Sequence, residues 1–321
     1  MPTKILITGA SGFLGRALVS TLSADTHLKI TAASRSPIPD VPSTVTPYLL
    51  SDINATTAWS AALDVEVVIH AAARVHVMND DADDPLALFR EVNTAGTLNL
   101  ARQAAKAGVK RFIFISSVKV NGENTATGQS FLADDMCAPS DPYGISKFEA
   151  EQGLMELAAS TSMEIVVIRP VLVYGPGVKA NFHQLMRILR SGFPMPLGAV
   201  NNSRSLVSLD NLIDLIRVCL EHPAAANQRF LVSDGEDVST TELARLILKF
   251  SGSKSWLIPV PENLIFTLAN LAGRGASARR VLGSLQVDIG KTRTLLNWSP
   301  PVSLQRGLKQ TVEHFMKAGK K

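Results

Sequence analysis

The sequence predicts an α/β fold, a doubly wound parallel sheet with a smaller, mixed C-terminal lobe. Three observations carry that reading. The chain opens on an apolar run, Ile5-Leu6-Ile7, that ends at glycine, the profile of a buried parallel strand. Gly9, Gly12 and Gly15 stand at three-residue steps, and Phe13, Leu14, Ala17, Leu18 and Val19 suit a helix. Strand-like and helix-like segments then alternate as far as Pro170, the pattern of helices packed on both faces of one sheet.

A strand, a glycine turn and a helix start make an anion site. Glycine lets the backbone approach a pyrophosphate, and free N–H groups at the helix start point at it. This is the Rossmann-type arrangement, here spaced Gly-x-x-Gly-x-x-Gly. Tight turns also use glycine, so the string alone is weak; its place straight after a first strand favours a dinucleotide, with Ser11, Phe13 and Leu14 inside the turn.

The other elements follow in order. Leu28 to Ala33 reads as the second strand and Val65 to His70 as a further buried strand. Pro85 to Ala107 reads as one long helix, closed by Gly108 at a C′ position. Arg111 to Ile115 is strand-like, Pro142 starts a helix through Leu157, and Ile165 to Ile168 is another strand. Proline, glycine and asparagine become frequent over 175–203. The expected division is therefore a dinucleotide-binding domain over 1–170 and a substrate lobe over 171–321. Val207 to Leu220 reads as helix and Arg229 to Val232 as a returning strand, so 205–235 is expected to pack back on the first domain.

Composition fits an enzyme with a substantial core. The 321 residues are 46% hydrophobic and 19% charged, with a net charge of +4. That excludes disorder, and the absence of a Lys/Arg run argues against a nucleic-acid partner. Two cysteines, Cys137 and Cys219, make no disulfide framework, so a reducing cytoplasm is expected. Met1-Pro2-Thr3 leads directly into the first strand, so no signal peptide is expected. No segment reaches the roughly 18 apolar residues of a membrane span, and the apolar stretch Leu264 to Ala272 is expected to be a buried or interfacial helix. No Cys/His cluster at metal spacing occurs, and Asp134-Asp135 and Asp80 to Asp84 read as solvated acidic loops rather than a metal site.

Candidate chemistry sits at Tyr143-Gly144-Ile145-Ser146-Lys147. Tyrosine and lysine four apart share a helix face, and an ammonium beside a phenol lowers its pKa from the usual value near 10. Such a phenol exchanges a proton with a carbinol oxygen. Alone the pair reads equally as a surface contact. Ser116-Ser117 changes that, because it follows a strand whose C-terminal end faces the ligand crevice. At the end of the second strand stands Ser34-Arg35, where an acid would hold the ribose 2′-OH of NAD. A guanidinium pairs with a 2′-phosphate instead, so NADP(H) is preferred, with NAD(H) the alternative if Arg35 is a solvated cation or stacks on adenine.

TGASGFLG, HAAA at 70–73, FISS at 114–117, YGISK at 143–147 and RPVLVYGPG at 169–177 resemble the extended short-chain dehydrogenase/reductases, and within them the NAD-dependent epimerase/dehydratase family. The tail residues Asp288, Lys291, Leu296-Asn297-Trp298, Pro300-Pro301 and Gly307-Leu308 resemble the nucleotide-sugar branch. The resemblance implies Ser117, Tyr143 and Lys147 as the catalytic trio. It implies cofactor contacts at Asp52, Ile53, Ala71, Ala72, Ala73, Asn93 and Pro170. For Asn93, a buried amide satisfying a helix contact is the alternative. It implies that Arg204 meets the diphosphate of a UDP-sugar, with Asn181 and Arg280 as further candidates. Arg74, His76, Lys119 and Asn121 are candidates around the sugar, His76 reading equally as a solvated loop residue. A homodimer through helices 85–107 and 142–160 is implied as well.

Three reactions occur in such a family. A 4,6-dehydratase usually carries an Asp-Glu pair after the catalytic hydroxyl, whereas Val118-Lys119 follows Ser117 here. A 4-epimerase often shows Ser-Ser-x-x-Val-Tyr-Gly, whereas Asn121 replaces the tyrosine here. ARVHVM at 73–78 and VKVNG at 118–122 are most similar to bacterial 4-reductases of UDP-2-acetamido-2,6-dideoxy-4-keto-hexoses, which feed surface-polysaccharide synthesis. That reductase is the expected activity, a UDP-sugar 4-epimerase with retained NAD is the alternative, and a non-catalytic dinucleotide-binding protein is the remote one.

Overall fold

The computed structural model describes residues 2–75, 84–126, 128–273 and 275–318. In chain order the strands are β1 (Thr3–Thr8), β2 (Leu28–Ser34), β3 (Val45–Leu49), β4 (Val67–His70), β5 (Arg111–Ile115), β6 (Glu164–Pro170), β7 (Leu172–Tyr174), β8 (Arg204–Ser208), β9 (Gln228–Val232) and β10 (Asp237–Val238). The helices are α1 (Phe13–Leu22), α2 (Pro85–Phe89), α3 (Thr97–Lys106), α4 (Pro142–Ser160), α5 (Ala180–Leu189), α6 (Leu209–Glu221), α7 (Thr240–Ser251), α8 (Glu262–Leu271), α9 (Gly275–Leu282), α10 (Gly290–Leu296) and α11 (Leu304–Ala318).

Seven strands form one parallel sheet in the order β3-β2-β1-β4-β5-β6-β9. Side-chain alternation splits its core in two. Ile5, Ile7, Ile113, Ile115, Val166 and Ile168 pack against Leu18 and Leu22 of α1 and Leu212 and Ile216 of α6. Leu6, Val68, Phe112, Phe114, Ile165 and Val167 pack against Leu100 and Ala104 of α3 and Ala150 and Leu154 of α4. Both faces are dry, which is why these strands read as continuous apolar runs. The strand order reverses at β1 and β4, so a crevice opens at their C-terminal ends. A small mixed sheet, β10-β8-β7, joins α5, α7 and α11 around Tyr174, Phe182, Leu206, Ile247, Leu308 and Phe315. Trp298 ties the tail to α6 by donating to Asp214 at 2.7 Å.

Four details depart from the sequence reading or narrow it. β3 was not expected; it reads Val-Thr-Pro-Tyr-Leu and pairs only with β2, an edge where proline is tolerated. Val207 is strand rather than helix, because β8 pairs with both β7 and β10, and α6 begins only after Ser208 caps it by accepting from the Asn211 N–H. The helix over 85–107 is continuous but passes through a π-helical turn at Arg90–Gly96. Finally, of the two expected placements, buried or interfacial, α8 does not take the buried one: it has no fully buried residue, and Leu264, Leu268 and Leu271 share an exposed stripe. Among the described residues no helix is long and apolar enough to cross a membrane.

The turn after β1 is built on close approach. Gly9 has φ +69°, and a Cβ on it would meet the Ala72 nitrogen at 2.7 Å. A Cβ on Gly15 would stand 2.1 Å from the Gly9 carbonyl oxygen. Gly15→Ala should therefore push α1 off the turn, cost about 1–3 kcal/mol as overpacking does, and abolish dinucleotide binding; thermal melting and dinucleotide titration check both.

Candidate active site

The crevice is lined first by the glycine turn. Gly12 is the N-cap of α1, no side chain caps that helix, and no acid stands in its first turn. The first-turn N–H groups and the glycine cradle therefore fit a pyrophosphate. A cavity of about 350 Å³ beside them is lined by Phe13, Arg16, Ala17, Pro176, Gly177, Lys179 and Leu209, which adds two cations. Ser11 and Leu14 belong to the same turn.

At the end of β2, Ser34 is buried and donates to the Ser36 carbonyl at 2.6 Å. Arg35 is exposed and lies 3.9 Å from Asp52, whose side chain also accepts from the Ile53 N–H at 2.8 Å. Ile53 in turn packs where a Cβ on Gly96 would fall. The resemblance implies cofactor contacts at Asp52 and Ile53, and the structure brings Asp52 beside Arg35.

Ala71, Ala72 and Ala73 follow β4 into the crevice, with the Ala72 N–H donating to the Thr8 hydroxyl at 3.3 Å. Asn93 is fully buried on the π-helical turn. Its amide accepts from the Arg74 N–H at 2.8 Å, donates to the Arg74 carbonyl at 3.0 Å and donates to the Ser146 hydroxyl at 3.0 Å. Asn93 thus fixes the loop after β4 to α4, and the widened helical turn carries it there. Such turns recur at functional sites, but no side-chain spacing announces one. Arg74 lies over the Phe89 ring at 5.6 Å. His76 and Asp80 to Asp83 lie outside the described residues; Asp84 caps α2 by accepting from the Ala87 N–H at 3.0 Å.

The Ser/Tyr/Lys trio comes together where α4 crosses the end of β5. Pro142 occupies the first turn of α4, and Asp141 caps it by accepting from the Gly144 N–H at 2.6 Å. Tyr143 is half-buried and edge-on to Phe89, with the Ser117 side chain beside its phenol. Lys147 is 1% exposed; its ammonium donates to the Ile115 carbonyl at 2.9 Å and sits 4.4 Å over the Phe114 ring.

Here the structure corrects the expected electrostatics. The Tyr143 phenol is not made acidic; burial pushes it up to about 12, the Asp141 carboxylate adds to the rise, and the Ser117 hydroxyl only partly offsets them. Lys147 spends its nearest hydrogen bond on the strand carbonyl rather than on the phenol. Burial brings it down to about 7, opposed by the Glu151 carboxylate. Sequence spacing shows that two groups share a face, but not which acceptor takes the ammonium.

Candidate substrate residues fall in two places. Lys119 pairs with Asp141 and with Glu123 at 3.2 Å. Asn121 is buried, donates to the Leu132 carbonyl at 3.0 Å and accepts from Arg169 at 3.1 Å. Both shape the loop after Ser117. Farther along, Arg204 of β8 donates to the Arg280 and Gly283 carbonyls, each at 2.8 Å, and burial lowers its pKa. Arg280 is exposed on α9, and Asn181 is exposed at the start of α5. Beside Gly283 a cavity of about 270 Å³ is lined by Asn124, Glu262, Asn263, Phe266, Arg279, Leu282 and Gly283. Thr125 and Phe131 donate backbone hydrogen bonds to Ser284 and Gln286, so this wall is continuous with the loop that leaves Ser117. Pro170 closes β6, buried. Asn124 and Arg279 were missed; only the adjacency of Arg279 to Arg280 pointed to the latter. Asp134, exposed to solvent as expected, also pairs with Lys291 at 2.8 Å, and Asp135 accepts from the Leu132 N–H, so this acidic loop carries ties as well. Among the described residues no cluster of potential metal ligands occurs.

His70 anchors the crevice floor. Its ring bonds Thr8 at 2.7 Å and Thr97 at 2.9 Å, and burial brings its pKa from 6.5 to about 3, with Lys147 adding to the fall. The folded state therefore binds the proton less readily than the unfolded chain. Stability is fully present above about pH 6.5 and should fall by up to about 1.4 kcal/mol per unit as pH drops toward 3. His70→Gln should flatten that part of the curve, as read by denaturant unfolding at stepped pH.

The sequence profile of the NAD dependent epimerase/dehydratase family matches residues 5–233. The chain is 49% identical over 320 residues to a UDP-glucose 4-epimerase of Vibrio cholerae, covering 99% of this chain and 97% of that one. The crystal structure of a UDP-glucose 4-epimerase from Thermotoga maritima with UDP-glucose superposes with a TM-score of 0.78 at 25% identity, covering 98% of this chain and 99% of that one. The Bordetella bronchiseptica enzyme WbmG in complex with NAD superposes with a TM-score of 0.79 at 22% identity, covering 99% and 96%, a likeness of fold.

Proposed function

The chain belongs to the NAD-dependent epimerase/dehydratase family, and on that premise we propose that it reduces the C4 ketone of a UDP-4-keto-6-deoxy-N-acetylhexosamine, preferring NADPH. The observation that carries the reading is the Tyr143 phenol, kept protonated through the neutral range and set beside Ser117 where α4 crosses the end of β5. A ketone taking up hydride needs a proton on its oxygen, and a phenol in the acid form is poised to give one. A bound reduced nicotinamide supplies the hydride.

Tyr143 donates the proton to the developing C4 alkoxide, and the Ser117 hydroxyl hydrogen-bonds the same oxygen, stabilising charge where it appears. Lys147, fixed at Ile115 by one N–H, has further N–H donors for the cofactor ribose. The glycine turn holds the pyrophosphate and Arg35 meets the 2′-phosphate, with Asp52 beside it. Arg204, with Asn181 and Arg280, meets the UDP diphosphate. Arg74 flanks the sugar, and Lys119 and Asn121 shape its loop through Asp141 and Arg169; His76 stays a sequence candidate for the same pocket. The free thiols of Cys137 and Cys219 support a reducing cytoplasm, and the α3 and α4 region is the proposed homodimer face. A carboxylate pair for dehydration is missing after Ser117.

A second reading, a UDP-hexose 4-epimerase with retained NAD, is favoured by the Vibrio cholerae relative. Incubation with NADPH and UDP-4-keto sugars separates the two. Stoichiometric loss of reduced nicotinamide marks the reductase; isomerised UDP-glucose with no net cofactor change marks the epimerase. Tyr143→Phe should cut turnover by about 10²-fold or more with dinucleotide affinity nearly unchanged, and near-normal turnover would refute the assignment. Arg35→Asp should invert the coenzyme preference from NADPH to NADH, since a carboxylate repels a 2′-phosphate; the kcat/KM ratio for the two coenzymes reads this directly.

A further inference from the structure

Successive turns of α4 meet consecutive residues at the end of β5. Tyr143 meets Ser117, Lys147 donates to the Ile115 carbonyl at 2.9 Å, and Glu151 accepts from the Ser116 hydroxyl at 2.5 Å. Tyr143, Lys147 and Glu151 are spaced four apart, so they share one helix face. The lowest grip is the most enclosed, because Glu151 and Arg169 are each 1% exposed. Arg169 donates to both Glu151 oxygens, with its shortest contact at 2.5 Å, and Arg229 of β9 stands 3.7 Å away. Arg169 Nη1 donates to Asn121 and to the Ala133 carbonyl, each at 3.1 Å, and Nη2, besides its bond to Glu151, reaches the Cys137 sulfur at 3.3 Å. One buried carboxylate thus joins α4, the end of β5, β6 and the loops 117–121 and 131–137.

We propose that Glu151 is the positioning residue of the reaction centre, its carboxylate both seating the Ser116-Ser117 turn and standing one helical turn from the buried Lys147 ammonium as its counter-charge. The proposal rests on the reading of Ser117, Tyr143 and Lys147 as that centre. Burying an ammonium favours its neutral form unless an opposite charge is near. The groups facing Lys147 are Tyr143 and Glu151 on α4, the neutral His70 on β4, and the Phe114 ring and Ile115 carbonyl on β5. Arg169 of β6, Arg229 of β9 and the Cys137 thiol lie beyond Glu151. Of the charged groups, Glu151 is the one that holds Lys147 up. The seating role is separate, because Ser116 stands directly before the hydroxyl beside Tyr143. A small displacement there misplaces Ser117 against the substrate oxygen.

Two substitutions divide the roles. Glu151→Gln keeps an acceptor for Ser116 but removes the charge; Ser116→Ala keeps the charge but removes the grip. With lysine labelled at 13Cε, the Lys147 resonance followed against pH in the substrate-free protein should titrate about one unit or more lower in Glu151→Gln, and the alkaline limb of kcat should move with it. Ser116→Ala should leave the Lys147 titration in place and lower kcat roughly tenfold to a hundredfold, with KM for the coenzyme little changed. Glu151→Asp should hold the lysine titration near the parent's, since the charge stays. Should Glu151→Gln fail to fold with Arg169 left unpaired, Ser116→Ala still tests the seating role through kcat, since it leaves the Glu151–Arg169 pair in place. An unmoved Lys147 titration in the variant lacking the Glu151 charge, or full kcat in Ser116→Ala, would overturn the proposal. Because the titration needs no substrate, it stands or falls separately from Tyr143→Phe, which tests the centre itself.

Discussion

The packing of α4 along the end of β5 is the constraint on which the rest of the site depends. A helix that buries a phenol, an ammonium and a carboxylate on one face must find a partner for each. The strand end supplies two of them, a hydroxyl at Ser116 and a carbonyl at Ile115, and Ser117 completes the row at Tyr143. Asn93 and the π-helical turn do the same work from the opposite side by fastening the loop after β4 to Ser146. The candidate centre is therefore held between two strand ends by polar contacts in which Asn93, Ser116, Lys147 and Glu151 are buried.

The sheet explains why those strand ends lie together. Strand order reverses at β1 and β4, so chains leaving them diverge and open a crevice. The glycine turn lines one wall, and its close approach to Ala72 leaves no room for a side chain. The second sheet and α9 build the far wall, with Arg204 tied to the backbone at Arg280 and Gly283. The loop leaving Ser117 is joined to this far wall by backbone hydrogen bonds from Thr125 and Phe131 to Ser284 and Gln286 and from Asp288 to Phe131.

Much of this was legible in the chain. Local signals located β1, β4, β5, α1 and α4, because continuous apolar runs, a proline at a helix start and glycine spacing are short-range features. The candidates Ser117, Tyr143 and Lys147 came from their order along the chain and from the family resemblance, and the structure brings them to one strand end. What was not legible depends on distant partners. The Glu151–Arg169 pair joins residues 18 apart, and nothing in either neighbourhood says they meet. β3 carries a proline and β8 alternates too briefly, so pairing rather than propensity decides both. The expected acidity of Tyr143 had the wrong sign, because a lysine four residues on is a neighbour whose hydrogen bond goes to Ile115 while burial dominates the phenol.

The central claim is that a protonated phenol and its serine partner meet one substrate oxygen beside a nicotinamide ring. The most direct measurement is a crystal structure of the protein with reduced dinucleotide and a UDP-hexose bound. The account requires the Tyr143 and Ser117 oxygens within about 3.2 Å of the same C4 oxygen, with the nicotinamide ring on the far side of that carbon. A ring bound away from Tyr143, or a sugar whose C4 oxygen is held by neither hydroxyl, would contradict it.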